Sequence, residues 1–149
     1  MTDVDSLGAL DRMQQLAVLL GRDRDESLAR HGISSSRAPV LWVISAAGPR
    51  TQRELAESLR VSARNVTGLV DALVADGFVS REPHPRDRRA TLVTLTATGK
   101  ALVATIAKEQ TRFTKMLFAD WDRADLEPFA RGLDRVVRSL RDSARGGSA

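Results

Sequence analysis

The stretch Arg81-Glu-Pro-His-Pro-Arg-Asp-Arg-Arg-Ala-Thr-Leu-Val-Thr-Leu-Thr-Ala-Thr-Gly99 decides how the rest of this chain is read. Phe78 to Glu82 and Thr91 to Leu95 have the β-branched and aromatic make-up of strands, and Pro83 to Arg89 form a turn between them. Thr96 then offers its hydroxyl as the N-cap of a helix. The sequence therefore predicts an arginine-tipped hairpin that runs straight into a helix.

Directly upstream, Ser62 caps a helix that Gly77 ends. Val66, Leu69, Val70, Leu73 and Val74 form one apolar stripe along it. Stepping about 100° per residue from Val66 puts Arg64, Gly68, Asp71 and Ala75 on the opposite face, with Asn65 and Thr67 on its flanks. Before that helix, Thr51-Gln-Arg-Glu54 reads as a capping box opening a shorter helix with Leu55, Ala56 and Leu59 inward. Arg60-Val61 leaves room only for a tight turn, so the two helices form a helix-turn-helix. Followed by a basic hairpin, such a unit can hold one element in a DNA groove and a second in the groove beside it.

Toward the N-terminus, Val4, Leu7, Leu10, Met13, Leu16, Ala17 and Leu20 recur at spacings of three and four, which predicts an amphipathic helix over 3–30 stopped by His31-Gly32. Ser34 to Ser36 offer N-caps for a second helix through Ala47, dense in Val40, Leu41, Val43 and Ile44. Gly48-Pro49 is a turn. Beyond the hairpin, the helix after Thr96 carries Leu102, Val103, Ile106, Phe113 and Leu117. A last helix after Asp120-Trp-Asp122 carries Leu126, Phe129, Leu133, Val136, Val137 and Leu140, with Pro128 near its start. The fold class expected is mostly α with a small β-hairpin wing.

Composition narrows the function classes. The 149 residues suit one domain or two small lobes, and the net charge is +4. All basic residues but Lys100, Lys108 and Lys115 are arginines, which suit bidentate contacts to phosphate and guanine. Without cysteine there is no disulfide and no thiolate chemistry, and two histidines 53 residues apart argue against a dedicated zinc site. No nucleophile–base grouping or phosphate-cradling glycine loop points to an enzyme, and no cofactor or metal is expected. No apolar run reaches the roughly 20 residues of a membrane span. The acidic start Met-Thr-Asp-Val-Asp5 lacks a signal-peptide n-region, so a cytoplasmic location is expected.

The spacing Asp87-x-Arg89-x-x-x-Val93-x-Leu95-Thr96-x-x-Gly99 resembles the wing pattern of the MarR family of transcriptional regulators. Val66-Thr67, Leu69-Val70-Asp71-x-Leu73 and Gly77-Phe78-Val79 are similar to that family's recognition helix and the strand after it. Gly68 departs from the longer polar residue many members carry. The resemblance implies a winged helix-turn-helix lobe over 34–99, a helical dimerisation lobe from 1–33 and 100–145, and a flexible tail at 146–149. It further implies a homodimeric repressor on a pseudo-palindromic operator in double-stranded DNA, released by a small molecule, with phenolic or lipophilic compounds as candidates. Residues His31 and Trp42 are candidates for the effector pocket by position.

From chemistry, Arg64 can reach guanine or phosphate, Asn65 can read adenine, and Thr67 can touch a thymine methyl or a phosphate. Ser62 and Gly68 complete the helix face; Arg86, Asp87, Arg88 and Arg89 form the wing tip. Arg89 matches the family's minor-groove arginine, and Asp87 is expected to hold its guanidinium. The main alternative is a winged-helix protein-interaction module that binds no DNA; the four arginines from Arg81 to Arg89 speak against it. A ligand-independent architectural DNA binder is a further alternative.

Overall fold

A computed structural model describes residues 3–146, with side chains from Asp5 onward. The side chain of Val4, counted above in the first apolar stripe, and residues 147–149 of the expected tail lie outside this description. By contact the chain forms two compact units, Met1–Glu109 and Gln110–Ala149.

The first unit opens with α1 (Asp3–Arg30) and α2 (Ala38–Ala47). Next come β1 (Arg50–Thr51), α3 (Gln52–Leu59) and α4 (Ala63–Ala75), then β2 (Val79–Pro83) and β3 (Thr91–Leu95). α5 (Ala97–Leu117) crosses into the second unit, which α6 (Arg123–Gly146) completes. Gly146, counted with the expected tail, is the last residue of α6.

Local chemistry sets these boundaries. The capping box forms as the sequence predicts: Thr51 Oγ1 accepts from the Glu54 amide and the Glu54 carboxylate accepts from the Thr51 amide. That backbone hydrogen bond, foremost, holds the Glu54 carboxyl below its ordinary 4.5. Ser62 caps α4 by accepting from Asn65 N at 3.0 Å. Arg60, in the turn between α3 and α4, adopts a left-handed φ of 53°, where a residue with a Cβ is strained. The N-terminus of α2 differs from expectation. Its cap is Arg37, with no side-chain cap, and Ser34 Oγ instead accepts from the Arg37 amide and Nε. Pro39, which needs no amide partner, stands in the first turn.

The sheet holds a strand that the sequence reading did not contain. Its order is β1-β3-β2, all antiparallel, with Arg50 and Arg81 both in register with Val93. β1 is only two residues long, Arg50 after the Gly48-Pro49 turn and Thr51 at the head of the capping box, where no alternation can show. Val93, paired in register with both arginines, is fully buried in the hydrophobic core.

The core gathers Val40 and Leu41 of α2, Leu55 of α3, Val66, Val70 and Leu73 of α4, Val79 and Val93, with Leu102 and Ile106 of α5 at its margin. Burial of each such side chain contributes about 1.5–3 kcal/mol. Val74, assigned to the buried stripe, is 37% exposed. One hundred degrees per residue carries it past the edge of the core-facing arc.

In the second unit, Phe118, Trp121 and Phe129 form an aromatic cluster with centroids 5.1–6.4 Å apart. Asp122 Oδ1 accepts from the Asp125 amide and starts α6, which continues through Pro128. No side chain of α6 is buried, and Leu133, Val137 and Leu140 stand open.

Candidate nucleic-acid interface

α4 separates two duties by face. Val66, Val70 and Leu73 are buried, while Ser62, Arg64, Asn65, Thr67 and Gly68 are all exposed. A Cβ added at Gly68 would meet nothing within 4 Å, so the protein's own packing does not require glycine there. Ser62 gives one lone pair to Asn65 N, which leaves its proton free to donate.

At the wing tip, His84 Nδ1 accepts from the amides of Arg86 and Asp87, each at 3.1 Å. The His84 amide donates to Ala90 O, and the Ala90 amide to Asp87 O. His84, set between two prolines, thus ties the turn, and Arg86, Asp87, Arg88 and Arg89 are all exposed around it. Asp87 acts differently from expectation. Its Oδ1 accepts from the Arg89 backbone amide at 3.0 Å, and among the described residues no ion pair joins it to an arginine. It shapes the backbone under Arg89 in place of gripping the guanidinium.

Arg81 also takes a different role from the one the arginine count gave it. Its guanidinium donates to Gln52 Oε1 through Nε and Nη2, at 3.1 and 2.8 Å, and pairs with Asp71 on α4. Gln52 Nε2 donates in turn to Thr67 Oγ1 at 3.0 Å. One exposed network therefore joins the start of α3, the outer face of α4 and the base of the hairpin. Arg81 is occupied as a brace, which leaves three of the four wing arginines for a nucleic acid. Gln52 escaped the sequence reading because its partners lie 15 and 29 residues away, beyond any helical or strand period. The Asp71–Arg81 pair lies across a turn, outside the i,i+4 spacing that makes ion pairs legible. Asp76, the other acidic side chain of this region, pairs with Arg37.

The two effector candidates stand in different settings. His31 Nε2 lies 3.0 Å from Glu109 Oε1, while Ser27 Oγ donates to Glu109 Oε2 at 3.1 Å, tying the end of α1 to α5. Trp42 is 36% exposed on α2. Among the described residues no group of three or more metal-ligating side chains comes together, and no helix is long and apolar enough to cross a membrane.

A helix-turn-helix whose reading helix leads into an antiparallel wing defines the winged-helix class of DNA-binding proteins. A family model described as "MarR family" matches residues 31–90. The chain is 31% identical over 121 residues to the HTH-type transcriptional regulator YwoH of Bacillus subtilis, covering 81% of this chain and 88% of that protein. It is 32% identical over 104 residues to the transcriptional activatory protein BadR of Rhodopseudomonas palustris, covering 68% of this chain and 59% of BadR. Among solved structures, a MarR family protein from Bacillus stearothermophilus superposes with a TM-score of 0.79 at 18% identity, over 95% of this chain and 99% of that one. The chain belongs to the MarR family, and it is a DNA-binding transcriptional regulator, not an enzyme.

Proposed function

We propose that this regulator is a ligand-responsive repressor that acts as a homodimer on a pseudo-palindromic operator. The observation that carries the reading is the Gln52–Arg81–Asp71 network, which fixes the arginine-tipped hairpin to the outer face of α4. Groove and flank are then addressed by one preset surface: Ser62, Arg64, Asn65, Thr67 and Gly68 toward the major groove, and Arg86, Arg88 and Arg89 toward the backbone and minor groove. Asp87 and His84 shape the tip.

Two-fold symmetry of the operator requires two copies, with recognition helices about 34 Å apart. The open apolar stripes of α6 (Leu133, Val137, Leu140) and of α1 (Leu7, Leu10, Leu16, Leu20) support dimerisation through the terminal helices. In this reading residues 34–99 form the DNA lobe, and 1–33 with 100–145 form the dimer lobe. A phenolic or lipophilic effector bound near His31 and Trp42 would release the DNA, and the protein would work in the cytoplasm.

The test is footprinting and titration on the DNA beside the protein's own gene. Protection of an inverted repeat is expected, with affinity falling steeply with salt through counterion release. A flat salt response overturns the operator reading and favours a protein-interaction module; equal affinity for scrambled DNA overturns it in favour of an architectural DNA binder. Transcription from the protected promoter should fall as protein is added and recover with effector. Rising output would instead assign an activator, the role that BadR's name gives that relative.

A further inference from the structure

Thr67 holds an unusual position on the exposed face of α4, because its one hydroxyl proton is already engaged by the protein. The hydroxyl donates to Ala63 O at 2.9 Å and accepts from Gln52 Nε2 at 3.0 Å. A threonine hydroxyl carries one proton, and here it points back along the helix. The oxygen therefore has nothing to donate to a phosphate, to thymine O4 or to guanine O6 and N7. Two bonds to fixed partners also hold χ1 in one well. What the side chain has left for a partner is its methyl group, held in one place, beside a single unshared lone pair.

Gln52 is fixed in turn. Its Oε1 accepts twice from Arg81, which sets the amide so that its NH2 faces Thr67, and Arg81 is held from the other side by Asp71. An apolar contact in the major groove has one natural target, the C5-methyl of thymine. We propose that Thr67 is a specificity-determining residue that selects thymine through its methyl group, and that Gln52 is the positioning residue that keeps the Thr67 hydroxyl turned away from the DNA. This rests on the operator reading above.

The experiment replaces each thymidine of the footprinted operator, one at a time, by deoxyuridine, which removes only the methyl. For the full-length wild-type protein, one position per half-site should weaken binding by about 4-fold, as expected for one buried methyl. Thr67→Ser keeps the hydroxyl and its bonds but not the methyl, and should bind natural and substituted operators equally. Thr67→Val, which keeps a methyl, should retain the penalty. Gln52→Ala should shrink it, because the hydroxyl is then free to rotate. A wild-type protein that prefers its operator but ignores every substitution overturns the proposal, as does an undiminished penalty in Thr67→Ser. An undiminished penalty in Gln52→Ala overturns the positioning role. Failure of the wild type to distinguish operator from scrambled DNA is a separate result, which overturns the operator reading itself.

Discussion

Gly99 lies so close to Phe78 that a Cβ added at position 99 would stand 2.0 Å from the Phe78 carbonyl oxygen. The contact belongs to a joint at the end of the recognition helix. The Thr96 amide donates to Phe78 O at 3.1 Å, Thr96 Oγ1 donates to Gly77 O at 2.6 Å, and the Gly99 amide donates to Thr96 Oγ1 at 3.0 Å. The obstacle is backbone and cannot swing aside. Gly99→Ala is expected to destabilise the protein by about 3 kcal/mol or more, at or above the usual range for overpacking. A urea melt measures this directly; a loss under about 1 kcal/mol would show that the joint yields.

Gly68 should respond in the opposite sense. A methyl there meets open space, so Gly68→Ala is expected to stabilise α4 by about 0.5–1 kcal/mol. Operator affinity should fall in the same variant if the groove wall approaches the helix at this point. Unchanged affinity would mean that the glycine only lacks a contact.

Core and reading face should separate cleanly on mutation. Leu73 is fully buried, so Leu73→Ala should cost about 2–5 kcal/mol. Arg89 is exposed at the wing tip, so Arg89→Ala should change stability by no more than about 0.5 kcal/mol while weakening operator binding. Paired urea melts and binding titrations check both, and an Arg89 variant less stable than the Leu73 one would reverse the assignment.

Leu133 is 39% exposed in the single chain, on a helix with no buried side chain. A charge there should not harm the fold of one copy but should oppose association through this stripe. Leu133→Asp is expected to sediment as a monomer with reduced operator affinity; an intact dimer would remove α6 from the interface.

The Glu109 carboxyl is held below 4.5 by the hydrogen bond to His31 first and to Ser27 second. A carboxyl depressed in the folded state stabilises the fold above its unfolded value and loses that contribution as pH falls through the folded one. The affected window therefore lies below about pH 4.5. Glu109→Gln should flatten the fall in stability as the pH drops below about 4.5, read from melts at a series of acidic pH values. An unaltered slope would show that the His31–Ser27–Glu109 cluster does not contribute.

What could be read from the sequence was what repeats or punctuates. The recognition helix showed in the spacing of Val66, Val70 and Leu73 and in its stops at Ser62 and Gly77, and β3 showed in an unbroken run of β-branched residues and leucine. β1 did not show, because two residues have no period. The roles of Arg81, Asp87 and His84 were illegible for another reason. A sequence gives the charge of a side chain but not which neighbour reaches it first, and Asp71 and Gln52 reach Arg81. Gly99 was visible only as part of a pattern; its physical cause, a carbonyl oxygen 21 residues earlier, is set by the packing of the hairpin's root.

The division of α4 into two faces has a consequence for how such a regulator can diverge. The residues that hold the helix in place, Val66, Val70 and Leu73, share no position with those that would meet the bases. Substitutions at Arg64, Asn65, Thr67 and Gly68 can therefore redirect the protein to another DNA address without reopening the question of whether it folds. Selection for a new target and selection for a stable chain act on separate letters of the same thirteen-residue helix.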